Sequence, residues 1–216
     1  MERTGFRPLY LVPILYVASI YVFPFWSTRT TMKTDPDSLD MSMLPIVIIL
    51  AIANIVVALV ARRTESRAFL LNCAVLVKYA LVPFFLVGGA LVALTALSSL
   101  IPVPFMIFVM PWVALMLAAV GWLLMVCGSS YSLAYIKVSK REGARSVLPA
   151  GLHALLQFIF VADVISVMVL TWRERRWRGL TVVVAIVMAM VTIALLVLLA
   201  WLVSTFAMGV ATSAAS

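Results

Sequence analysis

Three ionisable side chains lie within apolar stretches of this chain, where charge is costly and is usually retained for a function. They are Lys78, His153 and Asp163, and His153 is the single histidine. A lysine and a carboxylate at membrane depth lower each other's cost when they pair, and a nearby histidine titrates close to neutral pH. The combination predicts proton or ion coupling, or recognition of an anionic substrate.

Each of these residues also has a purely structural interpretation. Lys78 lies at the edge of an apolar run, from which a lysine can extend its ammonium group to the headgroups. Asp163 can bond to a neighbouring helix or face the headgroups, and His153 lies close to a predicted interface. Gln157 and Asn54 complete the candidates for a substrate or ion pathway. For Asn54, a hydrogen bond between helices is a sufficient explanation.

Familiar catalytic signatures are missing from the sequence. A zinc-binding HExxH motif needs two histidines, and neither a P-loop nor a dinucleotide-binding fingerprint occurs. No G-x-S-x-G nucleophile motif occurs either. We therefore predict no catalytic residue, no metal site and no cofactor, and an enzyme is disfavoured. A lipid-modifying enzyme stays as a third hypothesis.

The composition is that of a membrane protein. Of the 216 residues, 65% are hydrophobic, and the mean hydropathy is +1.19. Soluble domains are only about 45–50% apolar. The polar stretches are too short to build a soluble domain, so residues 1–216 are predicted to form one all-α, multi-pass helix bundle.

The positions of the spans follow from the length of the apolar runs, because about 20 residues are needed to cross about 30 Å of hydrocarbon. Beyond the fourth span, the helix is predicted to continue out of the membrane and to stop near Gly143. The five predicted spans are at about residues 8–26, 43–61, 78–99, 105–126 and 180–208.

Residues 147–172 decide the topology, because they are apolar enough to cross yet basic residues flank them on both sides. If they cross, giving six spans, the inner loops hold nine lysines and arginines and the outer loops six. If they do not cross, the inner side holds thirteen and the outer side two, which is the asymmetry that the positive-inside rule expects. We favour five spans and a sixth helix that is embedded in the inner leaflet or lies at the interface, with six spans as the alternative.

The net charge is +8, and most lysines and arginines lie at the ends of apolar runs. This position favours binding to anionic headgroups over binding to nucleic acid. We expect an integral protein of a bacterial cytoplasmic membrane, with a cytoplasmic N-terminus.

Two functions rank above the lipid-modifying enzyme after these exclusions. The first is a transporter, a channel or a subunit of a transport complex, because polar groups lie at membrane depth. The second is a non-catalytic assembly or accessory subunit, as a homo-oligomer or with a membrane partner. Small residues on the third and fourth spans, which allow helices to approach closely, support the second; these are Gly88, Gly89, Ala93 and Gly121.

Overall fold

The computed structural model describes residues 8–34, 41–99, 103–143 and 147–215, and these form helices joined by short connections. A 3-10 turn at Pro8–Tyr10 leads into the first helix. The helices are α1 (Leu11–Thr34), α2 (Leu44–Thr64), α3 (Arg67–Ser98), α4 (Pro104–Gly128), α5 (Ser130–Arg141), α6 (Val147–Leu156), α7 (Ala162–Arg173) and α8 (Arg178–Ala215).

Five stretches of helix in the described chain are long and apolar enough to cross a membrane. Helices suit this role because each backbone N–H and C=O is satisfied within the segment, without water. The predicted all-α bundle with five membrane-spanning helices is therefore confirmed. The five stretches are Pro8–Thr30, Leu44–Thr64, Arg67–Ser98, Pro104–Arg141 and Arg178–Leu198.

The core of the bundle surrounds the first half of α3. Between Phe69 and Val82 most side chains of this helix are buried, and α3 contacts α1, α4, α5 and α7. After Pro83 the residues of the helix are exposed or only partly buried, and the apolar faces of α4 and α8 are largely exposed. One end of the bundle is thus closely packed, and the other presents apolar side chains outward.

The fourth apolar helix continues beyond its span, as predicted. α4 ends at Gly128, and after a single turn residue, Ser129, the chain continues as α5 to Arg141. Gly143 follows with φ +68°, a left-handed conformation that terminates helices and costs glycine little. α5 brings a polar, tyrosine-rich and serine-rich helix against the buried half of α3.

The segment predicted as one embedded helix at 147–172 is two helices, α6 and α7, separated by the non-helical residues 157–161. The helices fold back on each other, because His153 Nδ1 lies 2.9 Å from Ser166 Oγ. In a continuous helix the backbones of these two residues would be about 20 Å apart. With 10 and 12 residues, α6 and α7 are about 15 and 18 Å long, too short to cross about 30 Å of hydrocarbon.

Candidate functional site

A buried ion pair joins α3 to the α6–α7 hairpin. The Lys78 ammonium group donates to Asp163 Oδ2, and the side chains are 1% and 2% exposed. Lys78 also donates to Ser129 Oγ at 2.6 Å and to the Met125 carbonyl oxygen at 3.4 Å. One ammonium group therefore links α3 to α4, to the turn after α4 and to α7.

The position of Asp163 within α7 adds to the stabilisation of its charge. Asp163 lies in the first turn of this helix, directly after the interruption. The N-terminal end of a helix carries a partial positive charge, which favours a carboxylate there. Asp163 thus has two positive neighbours, the helix end and Lys78.

The ion pair lies well away from the basic ends of its helices. Lys78 is 11 residues beyond Arg67 on α3, and Asp163 is 10 residues before Arg173 on α7. At 1.5 Å per residue, both lie about 15 Å along the helix axis from those arginines. That distance is about half of the hydrocarbon thickness of a bilayer.

The interruption at 157–161 is held by hydrogen bonds from α4 and from the turn that follows it. A non-helical backbone leaves carbonyl groups that must find donors when water is excluded. Ser129 Oγ donates to the Gln157 carbonyl oxygen at 3.1 Å, and Trp122 Nε1 donates to that of Phe158 at 3.1 Å. Val161 takes a φ of 68°, a conformation that β-branched residues rarely adopt. The tertiary structure, not the local sequence, therefore maintains this turn.

His153 and Gln157 are brought to the same place through Ser166. Gln157 Nε2 donates to Ser166 Oγ at 3.2 Å, and the same hydroxyl contacts His153 Nδ1. Gln157 is fully buried, and His153 is partly exposed. Four of the five predicted pathway residues, Lys78, His153, Gln157 and Asp163, thus lie in one polar cluster, which we call the Lys78 cluster together with Ser129 and Ser166.

Asn54 lies in a separate contact between helices. Its Nδ2 donates to the Cys127 carbonyl oxygen at 3.2 Å and to Ser130 Oγ at 3.3 Å. Asn54 therefore forms the predicted hydrogen bonds between helices, because its side chain joins α2 to the junction of α4 and α5.

The small residues predicted for helix packing divide into two groups. A Cβ atom added at Gly88 or Gly89 would meet no described atom within 4 Å, and Ala93 is exposed. A Cβ atom added at Gly121 would lie 3.9 Å from the Phe160 ring. The closest packing is instead at Gly128, where a Cβ would lie 3.2 Å from Val77 Cγ1. Gly88, Gly89 and Ala93 therefore do not pack within the described chain.

Three polar residues that make these contacts, Ser129, Thr171 and Thr181, were not among the predicted site residues. Ser129, which bonds Lys78 and the interrupted helix, lies in a run of small polar residues that has the pattern of an exposed segment. The hydroxyl groups of Tyr79, Thr171 and Thr181 are buried against one another, with oxygen–oxygen distances of 2.8 to 3.4 Å. The signal in the sequence was a single hydroxyl residue within an apolar helix. Such a residue does not show which other polar group it will contact.

A second polar layer lies at the basic end of the bundle. Arg67 pairs with Glu174 at 3.3 Å and with Glu142 at 3.6 Å, and Tyr135 donates to Glu174 at 2.6 Å. The chain segments that follow α2, α5 and α7 therefore meet at one end. Arg3, Arg7 and Arg145, which belong to the same predicted side, lie outside the described residues.

The fold and this cluster define a class: an all-α protein with five helices able to cross a membrane and a short helical hairpin, α6–α7, that packs against α3, α5 and α8. More specifically, the chain belongs to DUF6652, a family of unknown function, whose family model matches residues 39–176. All members of the Lys78 cluster lie within the matched residues, whereas α1 and α8 lie outside them. Neither a curated protein nor a solved structure matches the chain.

Proposed function

We propose that this protein is a transporter, a channel or a subunit of a transport complex, and that the Lys78 cluster is its coupling site. The observation that carries the proposal is the Lys78–Asp163 ion pair, buried where a membrane-embedded helix is interrupted. Transport proteins commonly bind substrates and ions at such interrupted helices, because the helix ends and free carbonyl groups offer ligands there.

The energetic argument also favours a functional site over a structural one. A buried ion pair is weak evidence for stability, because desolvation of the two charges offsets most of their attraction. Apolar residues of similar volume would hold α3 and α7 together at least as well. A pair retained in this setting supports a role in which charge is moved or exchanged.

We further propose that the basic end of the bundle faces the cytoplasm of a bacterial cell and contacts anionic headgroups. The meeting of the segments after α2, α5 and α7 supports this orientation, because it gathers most of the arginines at one end. A groove beside α5 adds support, since Lys137, Lys140 and Arg141 line it beside the apolar Leu133 and Ile136. Cationic groups next to apolar side chains complement an anionic lipid.

Transport can be tested without knowledge of the substrate. Vesicles that contain the purified protein are mixed with iso-osmotic solutions of salts, sugars or amino acids, and light scattering reports solute entry. We expect faster entry than in empty vesicles for at least one solute. Asp163→Asn and Lys78→Met should each lower that rate at least tenfold, because each removes a charge from the coupling site.

The matched control is Ser139→Ala, which alters a buried polar side chain of α5 outside the Lys78 cluster. It should retain the rate, and all variants should remain monodisperse and helical. Entry no faster than in empty vesicles, or unchanged entry in both charge variants, would contradict the proposal.

A second function, assembly with itself or with a membrane partner, is favoured by the free small-residue face of α3. Because a Cβ atom added at Gly88 or Gly89 would meet no described atom within 4 Å, a neighbouring helix can approach them closely. We expect Gly89→Leu to disperse an oligomer measured in detergent by light scattering, without loss of helicity. A monomeric wild-type protein with no co-purifying partner would remove this alternative.

A further inference from the structure

A groove with a volume of about 620 Å³ lies between α5 and α6. Sites that hold small ligands are typically about 300–1,000 Å³ in volume. The wall on α5 consists of Leu133, Ile136, Lys137, Lys140 and Arg141. The wall on α6 consists of two small residues, Gly151 and Ala154. The groove therefore combines apolar side chains with three cationic ones.

The charge of the groove has one sign. Lys137, Lys140 and Arg141 are exposed, and their spacing of three and four residues places them on the same face of α5. Among the described residues that line the groove, none is acidic. Glu142, which follows directly, pairs with Arg67 at 3.6 Å. The three cations are thus arranged to bind an anion.

The polarity of the groove changes with depth. α5 and α6 are level at the depth of the buried ion pair, where Ser129 Oγ donates to the Gln157 carbonyl oxygen. Leu133 lies 4 residues beyond Ser129, about 6 Å along α5, and Arg141 lies 12 residues beyond it, about 18 Å along the helix. The deep end is therefore apolar and the shallow end is cationic, which matches a phospholipid with its headgroup at the membrane surface.

The groove and the Lys78 cluster lie on different sides of α6. Gly151 and Ala154 line the groove, whereas His153 and Gln157 contact Ser166 on α7. At 3.6 residues per turn, the two pairs point about 110° apart around the helix. A molecule in the groove would therefore hold α6 from one side while α7 holds it from the other.

We infer that one anionic phospholipid molecule binds in this groove, with its phosphate at the three cations and an acyl chain along Leu133 and Ile136. The lipid site rests on the proposed contact of the basic end with anionic headgroups, and it adds a defined position and a stoichiometry. A soluble phosphate ester would contact the cations but leave the apolar wall uncovered, so a lipid matches both parts of the groove. By joining α5 to α6, the lipid stabilises the hairpin that carries the Lys78 cluster.

The test measures lipid binding, not flux. The purified protein is freed of lipid in detergent and titrated with phosphatidylglycerol, while native mass spectrometry counts the bound molecules and the melting temperature is recorded. We expect one molecule to bind much more tightly than any further ones and to raise the melting temperature. Phosphatidylcholine with the same chains should bind at least tenfold more weakly, and glycerol phosphate should not raise the melting temperature. Equal binding of phosphatidylcholine, or an equal shift with glycerol phosphate, would overturn the inference.

A pair of charge variants separates the groove from the rest of the basic end. Lys137→Gln/Arg141→Gln should weaken binding of the first phosphatidylglycerol at least tenfold, because it removes two of the three cations. The control, Arg63→Gln/Arg173→Gln, removes two exposed charges after α2 and at the end of α7, and it should weaken binding less than threefold. Equal weakening in the two double variants would uphold a general contact of the basic end with headgroups and refute the groove site.

A second pair of variants blocks the groove without a change of charge. A Cβ atom added at Gly151 would meet no described atom within 4 Å, so a tryptophan can be placed there, and its ring would fill the groove. Gly151→Trp should weaken lipid binding at least tenfold. Gly179→Trp, at an equally open position on α8, should bind as the wild type does. Binding unchanged in Gly151→Trp would refute the position of the lipid between α5 and α6.

Lipid binding and transport can fail independently. One tightly bound lipid without entry of any solute into vesicles would uphold the groove site and refute transport. Solute entry without selective binding of phosphatidylglycerol would uphold transport and refute the groove site.

Discussion

Replacing Lys78 by methionine is expected to lower the free energy of unfolding by about 3–5 kcal/mol, because it leaves the Asp163 carboxylate buried without its counter-ion. The other donors of the cluster do not replace the lost counter-ion of Asp163. Ser129 already donates to the Gln157 carbonyl oxygen, and the Gln157 side chain already donates to Ser166. The loss should be smaller at pH 5 than at pH 8. A carboxylate without a counter-ion takes up a proton in the folded state, so the folded protein binds more protons than the unfolded one, and stability falls as pH rises.

The double variant Lys78→Met/Asp163→Leu shows whether the loss comes from the unpaired charge. Apolar residues that replace both members of a buried pair are often neutral or stabilising. We therefore expect the double variant to be more stable than Lys78→Met alone, as measured by urea unfolding in detergent. Arg63→Met, which removes an exposed charge from the end of α2, should change stability by less than about 0.5 kcal/mol. A loss below about 1 kcal/mol in Lys78→Met would show that the ion pair is not formed in a buried environment.

The second large effect is an all-or-none pattern of chemical labelling. Single cysteines at positions 63 and 175 should react with a membrane-impermeant maleimide from the same side of the membrane, and a cysteine at position 99 should react from the opposite side only. The physical reason is the α6–α7 hairpin, which returns the chain to the side from which it entered. The proposed orientation adds that positions 63 and 175 are cytoplasmic.

Cys73 and Cys127 are replaced by alanine in the background of this experiment, so that the introduced cysteine is the only thiol. Reaction at position 99 from the side that labels 63 would show that α3 does not cross. If 175 is labelled together with 99, residues 147–173 run across the membrane, and the hairpin is refuted. Inside-out and right-side-out vesicles distinguish these outcomes directly.

Residue types and hydropathy were sufficient to predict several features of this protein. Length and composition indicated an all-α membrane bundle, because soluble domains do not contain such long apolar runs. Lys78 and Asp163 were candidates for an ion pair, because opposite charges in apolar segments lower each other's cost by pairing. The sequence left open the alternative that Lys78 reaches the headgroups, and the structure shows the pair instead. The distribution of arginines predicts that the segment before Arg173 does not cross, and the labelling experiment tests that prediction.

The division of that segment into two helices that fold back on each other was decided by the tertiary structure alone. Residues 157–161, Gln-Phe-Ile-Phe-Val, contain neither proline nor glycine, so nothing local marks the interruption of the helix. The donors that satisfy its carbonyl groups, Trp122 and Ser129, lie 36 and 28 residues earlier in the chain than the residues they bond. Hydropathy counts apolar side chains along one segment, whereas the path of the backbone at membrane depth depends on which distant groups can satisfy its hydrogen bonds.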